Sequence, residues 1–539
     1  VTLPAEVAPD LILRGGRIYP RARARPVQAL ASKGERIVAT GADQDVLALQ
    51  GPNTQVVDLD GLAVLPGFID PHVHMPEAYT FDRQLEAAPT FEALLEGLRE
   101  RIHARPAGEW AYISLSLNRP EWWPRKERLD AISGDHPVFL NVSGHVYATN
   151  SRGLSLAGIT RDTPDPFGGH IERDPNGEAT GILLDTGRFL ILDVMPRQSQ
   201  LELADRLLTA QDMLLKAGVT TAHDMVVDPA TMRTYARLKA DGRLKVRMVA
   251  LIRAYESKIS LQTLTDGGLT TGFGDDQLRI GGVKFSLDGQ FPSRGALVKE
   301  PYLGHEHDCG TLRVPAGEFK ALVKQAHQAG LRICVHAVGD GAQEMAVDAF
   351  DEAAGGASLA ASRHRIEHYG NLQSLPETNA RLRRLGVFAM PNPTFLAARG
   401  HLVEPYLGTH RAQSVTNLRE LMDQGVPVAV GSDWPGLGKI EPLKGIKALA
   451  TRVADVGLPL QTDAALSTAE ALDLYATNNA YVDFSEDRKG ALEPGKLADL
   501  VVLSDDPLAV APDRLGDVEV LATVIGGQFA YETGMFSRS

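Results

Sequence analysis

Apolar residues along the chain fall into two rhythms, and the switch between them divides it. At both ends the rhythm is that of β-structure. Near the start, DLILRGGRIYP, VQALASKGERIVATG and TQVVDLDGLAVLPG each read as strand, tight turn, strand. Near the end, KLADLVVLSDDP and VEVLATVIGGQFAYE repeat the pattern. Neither end has enough strands to bury a sandwich alone, so the two are expected to combine. Residues 1–64 and 485–539 are thus predicted to form one small β domain. Between them, short β-branched runs alternate with helical segments. Runs at 62–70, 137–142, 219–224, 280–286, 331–337, 364–368, 386–392 and 426–433 predict eight buried parallel strands. Segments 204–218 and 316–330 carry apolar residues at helical spacing and end in Gly. Eight strands joined by helices predict an α/β fold, a (β/α)8 TIM barrel over residues 65–484. Two connections, 75–136 and 143–218, are long, and loops of that length usually shape a binding site. The second contains GGHIERDPNGEATGILL, a predicted hairpin turning at Asn176–Gly177.

Composition narrows the function classes. The chain is 44% hydrophobic and 23% charged, as in an ordinary globular protein. Its net charge of −13 disfavours nucleic acid or an anionic membrane as partner. Only Cys309 and Cys334 are present, which predicts a reducing compartment. The opening residues have no signal-peptide pattern, and no apolar stretch approaches the roughly eighteen residues of a membrane span. These features predict a cytoplasmic protein acting on a small molecule, with homo-oligomerisation left open.

Candidate chemistry collects where strands end, which in such a barrel is the catalytic face. In GFIDPHVHM, His72 and His74 stand one residue apart and share a face of the first strand. The predicted fourth strand carries Lys284, the fifth ends in His336, the sixth in His368 and the eighth in Asp433. Each histidine or aspartate alone has an ordinary explanation as a packed side chain or a turn residue, whereas Lys284 is odder, since lysine is seldom buried without a partner. Six together on one rim form a set suited to zinc or a similar divalent ion. His145 ends the predicted second strand, facing either a substrate carbonyl or a structural hydrogen bond. His223 is read as structural, and the His305–Cys309 cluster as a solvated loop. Trp122, Trp123, Phe291 and Trp434 are candidate walls of an apolar pocket, with Trp123 predicted to touch substrate.

The strand-end set GFIDPHVH, GVTTAHD, VKFSLDG, HAVGDGA, RIEH and VGSDWP, with the closing GALEPGKLADLVVL, resembles the amidohydrolase superfamily over nearly the whole chain. More narrowly it resembles the YtcJ-like branch, which includes N-substituted formamide deformylases. The resemblance implies a composite β-sandwich beside a distorted barrel. It implies that His72, His74, His336, His368 and Asp433 ligate two divalent metal ions, with zinc expected. Lys284 matches the lysine that reacts with CO2 to give a bridging carbamate. One departure is Ser143, which stands where relatives usually carry Asp before Gly-His. The expected reaction is hydrolysis of a non-peptide C–N bond, in an N-acyl or N-formyl amide. Metal-bound hydroxide would attack while Asp433 acts as acid–base. A deaminase or cyclising enzyme on the same scaffold is an alternative. Such deaminases usually use one metal and no lysine ligand, so Lys284 argues against it. An inactive metal-binding protein is the other alternative, and the complete ligand set argues against that.

Overall fold

A seven-stranded parallel sheet carries most of the segments singled out above. Its strands are β1 (Phe68–Val73), β2 (Val219–Val227), β3 (Arg247–Arg253), β4 (Leu278–Ser286), β5 (Ile333–His336), β6 (Arg365–Glu367) and β7 (Phe388–Met390). They lie side by side in chain order. A parallel sheet with helices between its strands is buried on both faces, which explains the near-continuous apolar runs. This computed structural model describes residues 6–75, 82–115, 117, 120–142, 145–196, 199–253, 255, 261–534 and 536–538.

The segment from 427 to 434 reaches both edges of the sheet. Val428 bridges Ala389 in β7, and Trp434 bridges Val73 in β1, both in parallel. Asp433 N donates to His72 O at 2.9 Å, and His74 N donates to Trp434 O at 2.8 Å. Residues from the two ends of the sheet order are thereby held side by side.

Two sequence expectations are corrected here. The run 137–142 is no part of the parallel sheet. Val138–Asn141 pairs instead with Ala111–Ser114 and Val146–Thr149. The hairpin Gly169–Arg173 and Ala179–Asp185 completes this separate five-stranded sheet. A short buried run looks the same whichever sheet receives it, so periodicity could not make the assignment. The strand it displaced is β3, where Arg247 and Arg253 frame only five apolar residues.

The run 62–70 is two strands rather than one. Ala63–Pro66 pairs antiparallel with Leu500–Leu503, and β1 begins at Phe68. Gly67 stands at the change of sheet, where an added Cβ would lie 2.3 Å from a Thr220 methyl. Only glycine allows so close a passage.

Two further five-stranded sheets are built from the chain ends. One contains Leu11–Arg14, Ala29–Lys33, Arg36–Gly41, Gln55–Asp58 and Ser537–Arg538. The other contains Arg17–Ile18, Ala63–Pro66, Leu500–Leu503, Val520–Ile525 and Gln528–Glu532. Leu13, Leu30 and Val57 of the first share one apolar cluster with Val64, Leu500 and Val524 of the second. Of the three N-terminal turns, only Lys-Gly-Glu closes a hairpin. The other two pass the chain between the sheets. Among the described residues, no helix is long and apolar enough to cross a membrane.

Candidate active site

His72 is buried in β1, and its Nδ1 lies 2.6 Å from Glu367 Oε2 at the end of β6. A carboxylate there keeps the ring proton on Nδ1 and leaves Nε2 with a lone pair. That Nε2 lies 3.3 Å from Asp433 Oδ1, and His74 Nε2 lies 3.1 Å from the same oxygen. The ligand atoms of His72, His74 and Asp433 all fall within 4.8 Å of one another. His368 follows β6, with Nδ1 2.7 Å from Asn392 Oδ1. Asn392 is itself fixed, donating Nδ2 to Gly431 O and accepting from Asn371 Nδ2, each at 2.9 Å. Both His368 (φ 68°) and Asp433 (φ 55°) sit in the left-handed region. Non-glycine residues take that conformation at a cost of about 1–3 kcal/mol, which tends to concentrate at functional sites.

The imidazoles form a file. Ring centroids are 5.5 Å apart for His74–His72, 4.9 Å for His72–His368, 4.5 Å for His368–His336 and 5.3 Å for His336–His145. His336 Nε2 stands 3.5 Å from Asp288 Oδ1. Nε2 of His72 and of His336 are buried and make no hydrogen bond to any described residue. Leaving a buried acceptor unsatisfied costs about 1–3 kcal/mol. A divalent ion is the partner that imidazole and carboxylate donors best accommodate, so the residues present fit one.

Burial drives His336 well below the ordinary histidine pKa and His368 down to about 3, so both are neutral at pH 7. Burial pushes Asp433 upward, but the imidazoles of His72 and His74 beside it outweigh that and hold the carboxyl well below its usual range. Burial also opposes ionisation of Glu367, which Arg365 (Nε 2.5 Å from Oε1) and His72 nevertheless keep strongly acidic. Lys284, buried in β4, is lowered by burial to about 8, against the attraction of Glu367. A narrow cavity of about 110 Å³ opens on His74, His145, Lys284, His336, His368 and Asp433.

A model of the amidohydrolase family matches residues 55–531. The chain belongs to the amidohydrolase family. It is 29% identical to YtcJ of Bacillus subtilis (strain 168), over 97% of this chain and 99% of that one. It is also 29% identical to the N-substituted formamide deformylase of Arthrobacter pascens, over 95% and 96%. Among solved structures, an uncharacterized metal-dependent hydrolase from Pyrococcus horikoshii OT3 superposes with a TM-score of 0.75 at 25% identity. That match covers 93% of this chain and 99% of that one.

In this amidohydrolase, His145 does not end a strand of the parallel sheet. It lies between Val138–Asn141 and Val146–Thr149 of the separate sheet, which carries it to the cavity against His336. Its Nδ1 lies 2.6 Å from Asp185 Oδ1, and Asp185 N donates to His145 O at 2.8 Å. Burial is the largest influence on both groups; it lowers His145, whereas for Asp185 the neighbouring imidazole reverses the effect and keeps it acidic. Trp122 and Trp123 pack against the apolar cluster of Leu94, Leu98 and Leu129 rather than along the cavity. Trp434 is buried in the main core and borders a different hollow of about 450 Å³. Phe291 does line the cavity. Ser143 lies outside the described residues. His223 is buried, its Nε2 2.8 Å from Asp483 Oδ1. Asp308, in the 305–309 cluster, pairs with Arg294 at 2.8 Å.

Three supporting residues escaped the sequence reading: Glu367, Asp185 and Asn392. The first two left a signal, an acid inside a buried run in RIEH and in GILLDTG. Acids are seldom buried without a partner.

Proposed function

We propose that this chain is a metal-dependent hydrolase of a non-peptide C–N bond in a small molecule, an N-acyl or N-formyl amide. The convergence of His72, His74 and Asp433 carries this reading. The formamide deformylase relative supports the bond class. His336, His368 and Lys284 complete a set for two ions, for which zinc suits the donors best. When bound, such ions supply a water acidic enough to attack near neutral pH and polarise the scissile carbonyl. The Lys284 amine would add to CO2 and lose a proton, and the resulting carbamate would help to hold the ions. Asp433 accepts the proton of the attacking water and passes it to the leaving nitrogen. His145, gripped by Asp185, is assigned to the substrate carbonyl or its oxyanion.

We read the seven strands with the bridging 427–434 segment as a distorted (β/α)8 barrel, and the two mixed sheets as a composite sandwich. The free thiols of Cys309 and Cys334 support a reducing, cytoplasmic setting.

Metal analysis after mild purification tests the centre, with two equivalents per chain expected. A screen of metal-loaded protein against N-acyl amides, formamides, carbamates, lactams and aminopurines tests the bond. Turnover of aminopurines alone would favour deamination. One metal equivalent or none, after metal and bicarbonate are supplied, would overturn the two-ion reading.

A further inference from the structure

The hollow beside Trp434 has a volume of about 450 Å³, against about 110 Å³ for the cavity at the strand ends. Three stretches far apart in sequence wall it. The helix Gln200–Lys216 contributes Met213 and Lys216 from its end. The segment after Asp433 contributes Trp434, Lys439, Ile440 and Glu441, and leads into the helix Pro442–Thr451, which adds Leu443 and Lys444. From the composite β layers come Gly516, Val518 and Val520, where the strand Val520–Ile525 begins. Ligand pockets of about 300–1,000 Å³ occur preferentially at such junctions between units.

The walls are apolar and the rim is cationic. Trp434, Ile440, Leu443 and Val518 are all buried in the main core, so this wall is fixed before anything binds. Lys216, Lys439 and Lys444 line the hollow and are exposed, whereas Glu441 is the one acid in the lining among the described residues. Glu441 is engaged by Lys444 at 2.9 Å. Lys216 and Lys439 pair with no acid among the described residues. Lys216 answers the carbonyl end of its own helix, a task that Lys439 does not have. The rim thus gathers positive charge on a chain whose net charge is −13. Trp434 links the hollow to the catalytic segment, since it follows Asp433 and its carbonyl accepts from His74 N at 2.8 Å.

We propose that this hollow binds a medium-chain carboxylate, its hydrocarbon tail against Trp434, Ile440, Leu443 and Val518 and its head on Lys439 and Lys216. The tail gains by leaving water for a preformed apolar wall. The lysines select the sign of the head, because they attract a carboxylate, repel an ammonium and give a neutral hydroxyl little. Their rotatable ammonium groups suit a head at the solvent boundary, with their stems laid along apolar surface. An occupant would rest on the residue next to the proposed acid–base. The site itself is independent of the amide-hydrolase reading, because no group assigned to bond cleavage takes part in it.

Titration calorimetry would compare decanoate, decanol, decyltrimethylammonium and butyrate, each below micelle formation, on metal-loaded and chelator-treated protein. Decanoate should bind one equivalent in both forms, at least about tenfold tighter than the other three, and high salt should narrow its margin over decanol. Decanoate brominated at its tail quenches indole emission on contact, so it should quench Trp434. Trp434→Phe should lose that quench and keep the calorimetric binding. Lys216→Glu combined with Lys439→Glu should weaken decanoate by about tenfold or more and leave the metal content unchanged. Both lysines are exposed. If the double variant still fails to fold, as judged by circular dichroism, Lys439→Gln should narrow the margin over decanol to about threefold. The inference is overturned if decanoate does not bind or never saturates, if decanol binds as tightly, or if binding vanishes with the metal. It is equally overturned if the margin survives the lysine substitutions or the quench survives Trp434→Phe.

Discussion

Two buried clusters of charge and imidazole occupy this molecule, and they are built differently. Near the strand beginnings, Asp483 meets Arg279 at 2.6 Å, Lys489 at 2.9 Å and His223 at 2.8 Å. Lys489 also donates to Thr221 Oγ1 at 3.0 Å, and Ser485 Oγ donates to Asp483 at 2.7 Å. That cluster finds its partners within the protein. At the strand ends, imidazoles outnumber acids, and the Nε2 atoms of His72, His74 and His336 stand 3.3, 3.1 and 3.5 Å from their carboxylates, farther than any contact around Asp483. Both clusters are buried and both contain a histidine with a strongly lowered pKa. Burial and perturbed titration therefore do not separate structure from function here. Contact length does, because nitrogen and oxygen donors held farther apart leave room for an ion between them.

The comparison breaks most visibly at Lys284. Lys284→Ala should lose bound metal and activity together, by elemental analysis and turnover. Acetate or propionate should restore part of both by supplying the missing oxygens. Lys284→Arg, which keeps the charge but forms no carbamate, should stay inactive. Two tightly bound ions in Lys284→Ala without added carboxylate would make the lysine structural.

Asp433→Asn comes next. Asparagine offers an oxygen but takes up no proton, so kcat should fall by about 10²–10⁴-fold while the thermal melt is retained. Near-wild-type turnover would remove Asp433 from the proton path.

Asp483→Ala is the counterpart at the other cluster. It leaves Arg279 and Lys489 buried without their anion, a loss of about 3–5 kcal/mol in urea unfolding. The protein that remains folded should keep its metal content. A variant that unfolds normally but loses metal would erase the contrast between the clusters.

The smallest effect is in pH dependence. Burial lowers His223 to about 3, from an ordinary value of 6.5. Between those values the unfolded chain binds a proton that the folded chain refuses. His223 therefore costs no stability above pH 6.5, and its cost grows as pH falls toward 3, by up to about 1.4 kcal/mol per pH unit. His364, also lowered to about 3 by burial, adds a slope of the same sign. His223→Gln should flatten the acid limb of a melting-temperature profile, and an unchanged slope would assign it elsewhere.

Local pattern carried much of this site. His72, His74, Lys284, His336, His368 and Asp433 were singled out because polar groups ending apolar strands must face something. Most parallel strands were legible for the same reason, apart from β3, whose charged ends disguised a short apolar run, and from the run 137–142, which belongs to the separate sheet. What local pattern could not supply was partnership. The Glu367–His72 contact joins residues 295 positions apart, and Arg365 neutralises the same acid within the fold. Arginines 188, 253, 313 and 399 share a cavity through four unrelated segments, so no spacing announces them. The tryptophans misled in the opposite direction. Large apolar rings more often complete a core than a pocket wall, and Trp123 and Trp434 do so here.

The tie between His74 and Asp433 spans 359 positions, and the neighbouring backbone bonds join the same distant stretches. On the ribosome, the two histidines emerge hundreds of residues before the carboxylate that completes their cluster. A nascent chain that stops short of residue 433 holds two imidazoles and nothing to close the site. Capture of an ion by all three groups would thus report that synthesis has passed that point and that the 427–434 segment has met the first strand.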